Sequence, residues 1–128
     1  AETHGKGKML SIISIGNMFR ECFKAVESLK SKGIRTTLIN ARYVKPLDTK
    51  IADIIRASGK AIVVEENARL GGFGSAVMEL CQEKGVKADI RSIGIPDHFV
   101  EQGSQEKLRR DCGLYWENIM KIAVQMVK

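Results

Sequence analysis

Four short apolar runs punctuate this chain, and each precedes a stretch with helical periodicity. Leu10–Ile15 (LSIISI) reads as a buried strand, closed by Gly16-Asn17. Met18, Cys22, Ala25, Val26 and Leu29 then recur at helical spacing, with Phe19 and Phe23 widening the stripe. Gly33, behind Lys30 and Lys32, predicts the end of that helix, with cations where the helix dipole favours them. Thr36–Asn40 (TTLIN) is the second strand. Pro46-Leu47-Asp48 breaks the chain, Asp48 serves as an N-cap, and Ile51, Ile54 and Ile55 mark one face of a helix that stops at Gly59. Ala61–Val64 (AIVV) is the third strand. It leads through a glycine-rich loop to a helix with Ala76, Val77, Leu80 and Cys81 inward and Gly85 as its stop. Ala88–Ile93 (ADIRSI) alternates, as a strand nearer an edge does. Gly94–Asp97 is a turn, Ser104 caps a short helix through Cys112 that ends at Gly113, and a last helix runs from about Trp116.

Strands alternating with helices specify an α/β fold. Strands this apolar suit a mostly parallel sheet covered on both faces, and crossovers of one hand make that a three-layer α/β/α sandwich. The 128 residues fit one domain, placed at residues 9–128, and residues 1–8 read as a linker. No apolar run reaches the roughly 20 residues that span a bilayer, and the polar, basic start does not resemble a signal peptide.

The net charge is +6, but lysines and arginines are scattered among acids, with only one Trp, two Tyr and four Phe to stack on bases. This argues against a nucleic-acid partner and for a solvated basic surface or one facing a phosphorylated metabolite. Cys22, Cys81 and Cys112 are far apart, form no CxxC, and lie in apolar helical patterns. They define neither a disulfide framework nor a zinc site, and they suit a reducing compartment.

The candidate chemistry gathers in EENARLGGFGSAVMEL, Glu65–Leu80. Gly71-Gly72-Phe73-Gly74-Ser75 before a helix suggests a phosphate cradle. Yet no lysine follows the last glycine, as a P-loop requires, and neither the third glycine nor the first-strand position of a dinucleotide fingerprint is present. Two readings remain: an anion at the helix N-terminus, or glycines that permit a tight turn and close backbone approach. Glu65-Glu66-Asn67 ends a strand, where open α/β sheets place ligands. The acids offer acid–base work or magnesium binding, but strand neighbours point to opposite faces, which favours structural or interface hydrogen bonding. His98 follows a turn and His4 lies near the start; no GxSxG is present and no local signature pairs a cysteine with either histidine.

Several stretches, in order and spacing, resemble the C-terminal domain of the 1-deoxy-D-xylulose-5-phosphate synthase family, which is thiamine-diphosphate-dependent and transketolase-like. They are Ile15–Met18, Ile39–Asp48 (INARYVKPLD), Val64–Asn67, Gly71–Val77 and Gly94–Gly103 (GIPDHFVEQG). The resemblance runs from about Gly5 to the last helix. It implies a three-layer sandwich on a five-stranded, mostly parallel mixed sheet with one antiparallel strand. The fifth strand is expected at Lys6–Met9 or in the loop after Arg42. It implies a parent enzyme that condenses pyruvate with glyceraldehyde 3-phosphate for isoprenoid and thiamine biosynthesis, cytoplasmic in bacteria or stromal in plant plastids. Thiamine diphosphate and Mg belong to motifs of the two preceding domains, so no cofactor, metal or catalytic residue is carried onto this chain.

The partners it implies are the preceding domains and a second copy in a homodimer. On that analogy Glu65, Glu66, Asn67, Gly71, Gly72, Phe73, Gly74 and Ser75 form an interface loop, with Arg42 and Asp48 bracing the sheet end beside it. The alternative is an interaction module of another transketolase-like enzyme or of a 2-oxoacid dehydrogenase β subunit, whose C-terminal regions share the shorter motifs.

Overall fold

Each apolar run predicted as a strand forms one, and each periodic stretch between them forms a helix. The computed structural model describes residues 9–15, 18–40, 49–65, 72–94, 110 and 113–127. In chain order these are β1 (Met9–Ile15), α1 (Phe19–Ser31), β2 (Arg35–Asn40), α2 (Thr49–Ser58), β3 (Lys60–Glu65), α3 (Gly72–Glu83), β4 (Asp89–Gly94) and α4 (Trp116–Met126). The strands lie in the order β2-β1-β3-β4, and every pairing is parallel.

Burial follows that order. β1 and β3 are central, and Leu10, Ile12, Ile13 and Ile62–Val64 are all inaccessible to solvent. β2 and β4 are the edges, the position expected of Ala88–Ile93, and each has one buried residue, Ile39 and Ile93. Side chains leave a strand on alternate faces, which divides the core in two. Leu10, Ile12, Ile62, Val64 and Ile93 pack with α1 and α4. Ile13, Ile39, Ala61 and Val63 pack with α2 and α3 on the other face. The result is the expected three-layer α/β/α sandwich.

Two crossovers close with the same device. At the end of α1, the Ile34 N–H donates to the Leu29 carbonyl and the Gly33 N–H to the Lys30 carbonyl, both at 3.0 Å. At the end of α3, Val86 donates to Cys81 and Gly85 to Gln82. This is the Schellman geometry; Gly33 (φ 79°) and Gly85 (φ 70°) supply the left-handed residue, and the apolar residue that follows tucks into the core. Both turns lead straight toward the next strand.

The sheet differs from expectation in one respect. Among the described residues it has four parallel strands, not five in a mixed sheet. Met9, expected within a fifth strand, extends β1 because its backbone continues the β1 ladder opposite Arg35. Lys6–Lys8 and the loop after Arg42 lie outside the described residues. So do the expected linker at residues 1–8, the turn after Gly94, and the short helix after Ser104 apart from Arg110.

Cys22 is buried in α1 and Cys81 in α3; Cys112 lies outside the described residues. Burial, reinforced by the neighbouring Glu21 carboxylate, pushes the Cys22 thiol up to about 12 from its ordinary 9.0. The sign follows from linkage: the unfolded chain ionises this thiol first, so stability is intact below pH 9 and is lost as pH rises from 9 toward 12. The stability gap between wild type and Cys22→Ala, measured by urea unfolding, should therefore be constant below pH 9. Above it the gap should shrink by about 1 kcal/mol per pH unit.

Candidate functional site

Parallel pairing sends the C-terminal ends of all four strands to one edge of the sheet. There Asn40 lies opposite Ser14, Ile15 opposite Glu65, and Glu65 opposite Gly94. The segments that leave this edge are the motif-bearing ones: residues 16–18, 41–48, 66–71 and those following Gly94. The chain crosses from β1 to β2 through α1 on one face and from β2 to β3 through α2 on the other, so the winding reverses between β1 and β3. Such a switch point is where open α/β sheets form a crevice. Glu65 stands at its rim.

The Glu65 side chain does not reach outward. It is 2% exposed and lies on the α2–α3 face, with Ala61 and Val63. Its Oε2 accepts a hydrogen bond of 2.7 Å from the Gly74 N–H. Gly74 lies in the first turn of α3, where backbone N–H groups have no carbonyl within the helix and the dipole favours negative charge. A carboxylate bonded to such an N–H is among the stronger hydrogen bonds a protein makes. The anion at this glycine-rich helix start is thus the chain's own carboxylate, supplied nine residues earlier.

The glycine has a steric reason as well. A Cβ on Gly74 would stand 2.5 Å from Ser92 Oγ, 3.1 Å from Ser92 Cβ and 3.1 Å from Glu65 Oε2. β4 and β3 therefore crowd the helix start from two sides, and a side chain at this position would have to displace Ser92 and the Glu65 carboxylate. The expectation of close backbone approach holds at Gly74, but the neighbour is the domain's own sheet. A correction goes with it: Gly72–Ser75 are the first turn of α3, not a loop. The helix begins this early because the carboxylate satisfies a first-turn N–H that a loop would have left to water.

Of the other expected site residues, Ser75 is exposed beside Gly74. The backbones of Gly72 and Phe73 belong to the same turn. Arg42, Asp48, Glu66, Asn67 and Gly71 lie outside the described residues. Ser92 escaped the sequence reading, although the alternation of β4 places it with Ile90 on the face that meets α3. The same holds for Glu21, whose Oε1 accepts a 2.9 Å bond from the Trp116 N–H at the start of α4.

A magnesium diphosphate group needs several convergent oxygen ligands. Among the described residues no three His, Cys, Asp or Glu gather into such a cluster, and Glu65 is turned into the protein. These residues do not fit the cofactor. Also among the described residues, no helix is long and apolar enough to cross a membrane.

This architecture, with its motif-bearing strand ends, is that of a known family. Residues 1–119 match the model of the transketolase C-terminal domain, and the chain belongs to that family. Within it, the chain is similar to 1-deoxy-D-xylulose-5-phosphate synthases. It is 41% identical over 122 residues to that of Heliobacterium modesticaldum and 47% identical over 115 residues to synthase 1 of Geobacter sulfurreducens. These alignments cover 94% and 88% of the chain but only 19% and 18% of the relatives, so the chain spans about a fifth of their length. Among solved structures, a split-gene transketolase described as an inactive β4 tetramer superposes with a TM-score of 0.79 at 24% identity, over 96% of this chain and 41% of that one. The transketolase of Campylobacter jejuni gives 0.64 at 13%, over 96% of this chain and 18% of that one. At these identities the likeness establishes the fold.

Gly74→Ala should cost about 1–3 kcal/mol in chemical unfolding, as overpacking does. Adding Ser92→Gly should recover a good part of that loss, whereas Ser92→Gly alone should be nearly neutral. Equal losses in the single Gly74→Ala and the double variant would show that the helix start is not wedged against β4.

Proposed function

We propose that this chain is the C-terminal domain of a 1-deoxy-D-xylulose-5-phosphate synthase. On this reading the whole enzyme condenses pyruvate with glyceraldehyde 3-phosphate, with loss of carbon dioxide, using thiamine diphosphate and Mg held by its other domains. The domain itself supplies packing and dimerisation rather than chemistry. The supporting observation is the high identity to synthases across nearly the whole chain, combined with a span of about a fifth of their length. The geometry agrees in kind: the buried carboxylate at the switch point is committed to α3, which leaves it poorly placed to move protons.

In this reading the sheet edge carrying Glu65–Ser75, with Arg42 and Asp48 from the segment after β2, faces the preceding domains or the second copy of a homodimer. Glu65 acts indirectly by fixing the turn that presents Ser75. The enzyme is cytoplasmic in a bacterium, the setting that buried free thiols suit.

The decisive assay compares this domain alone with the full-length enzyme, incubating each with pyruvate, glyceraldehyde 3-phosphate, thiamine diphosphate and Mg. Product is expected only from the full-length enzyme, with no thiamine diphosphate binding to the domain by calorimetry at millimolar ligand. Decarboxylation by the domain alone would reject the non-catalytic role, and a full-length enzyme inactive on this pair would reject the synthase assignment. Replacing the exposed Ser75 with arginine in the full-length enzyme should lower dimerisation or turnover. Unchanged sedimentation together with unchanged turnover would remove the interface from this edge.

A further inference from the structure

α1 covers one face of the sheet with Cys22, Ala25 and Leu29, all fully buried. The flank of that buried stripe is not wholly polar. Phe19 is 40% exposed and Phe23 48%, and their rings stack with centroids 6.1 Å apart at 26°. Among the described residues the other large exposed hydrophobic is Met78, on the far side of the sheet. Scattered apolar residues on a surface need no explanation. Two aromatic rings one helical turn apart, already stacked, are a different matter, because they form an anchor whose side-chain freedom is reduced before anything docks. Arg20 and Lys24, both exposed, make a second row one residue further around the same helix. The surface therefore fits an apolar recess rimmed by carboxylates. Phe19 also begins α1 only four residues after β1 ends, which puts the anchor at the same sheet edge as Glu65.

We infer that the Phe19–Phe23 stack packs against the preceding domains of the same polypeptide. This rests on the assignment above, by which the family's C-terminal domain follows a much longer stretch of chain: the relatives are about five times as long as the aligned region. Size favours a partner in cis. The exposed parts of the two phenylalanines, 40% of one and 48% of the other, supply on the order of 200 Å² of surface to bury, while a stable contact between free molecules buries about 1,200–2,000 Å². A tethered domain meets its neighbour at an effective concentration in the millimolar range, so a small apolar anchor suffices. A partner in trans would need far more surface than this helix offers.

The test uses the full-length enzyme carrying Phe19→Ser and Phe23→Ser together, with Met78→Ser as a control on the other face. Truncating a docked aromatic anchor should accelerate limited proteolysis of the connection ahead of Met9 by about tenfold, with the sedimenting mass unchanged and Met78→Ser without effect. An unchanged cleavage rate overturns the proposal. A lowered mass with unchanged cleavage also overturns it, because the face then meets a second copy. Should the double variant fail to fold, hydroxyl-radical footprinting of the wild-type enzyme decides: relative to the urea-unfolded chain, Phe19 and Phe23 should be protected several-fold beyond what their 40% and 48% exposure in the domain accounts for, and protection no greater than that overturns the assignment. Assay of wild-type turnover on pyruvate and glyceraldehyde 3-phosphate separates the two questions. Loss of the synthase reading shows there, whereas loss of the docking face shows only in cleavage and footprinting.

Discussion

Parallel strand pairing is the constraint from which the rest of this domain follows. Each strand must return to its starting end before the next can pair, so a helix crosses the sheet between every two strands. The helices cover both faces, which buries the central strands almost completely and leaves solvent exposure to β2 and β4. Because all strands run one way, every C-terminal end meets the same edge. Segments far apart in sequence are collected there without any contact between them having to be specified.

That arrangement has a cost at the helix starts, and two glutamates meet it. Neither Met18 before α1 nor Tyr115 before α4 caps its helix with a side chain. Instead Glu21 reaches α4 across 95 residues, and Glu65 reaches α3 from the adjoining strand. Each bond ties two elements together while satisfying a backbone N–H that would otherwise be orphaned. Central β1 solves a related problem with hydroxyls. Ser14 Oγ donates to the Ile39 carbonyl at 3.4 Å, and Ser11 Oγ lies 2.9 Å from Ser58 Oγ, so both polar side chains are buried without being left unpaired.

The fold was legible because its determinants are local. LSIISI, TTLIN and AIVV announce strands through their own apolar and β-branched residues, and Gly33, Gly59 and Gly85 end helices in the left-handed conformation expected of them. The candidate site was legible only as a place. Glu65 could be set at a strand end by pattern, but the destination of its carboxylate depends on how closely α3 approaches the sheet, which no local pattern encodes. Ser92 was missed for the same reason: its importance comes entirely from facing Gly74. The glycines misled by resembling a loop, since glycine lowers helix propensity, and the buried carboxylate that outweighs this preference comes from another element. The fifth strand rested on family resemblance alone, with no apolar run of its own to support it.

The Glu65–Gly74 bond also bears on when the domain can take shape. In many nucleotide-binding folds the glycine-rich helix start completes its electrostatics only when a ligand's phosphate arrives. Here the counter-charge is covalently part of the chain and leaves the ribosome before the helix it serves. The first turn of α3 therefore carries its own counter-charge as soon as β3 and α3 have both been made.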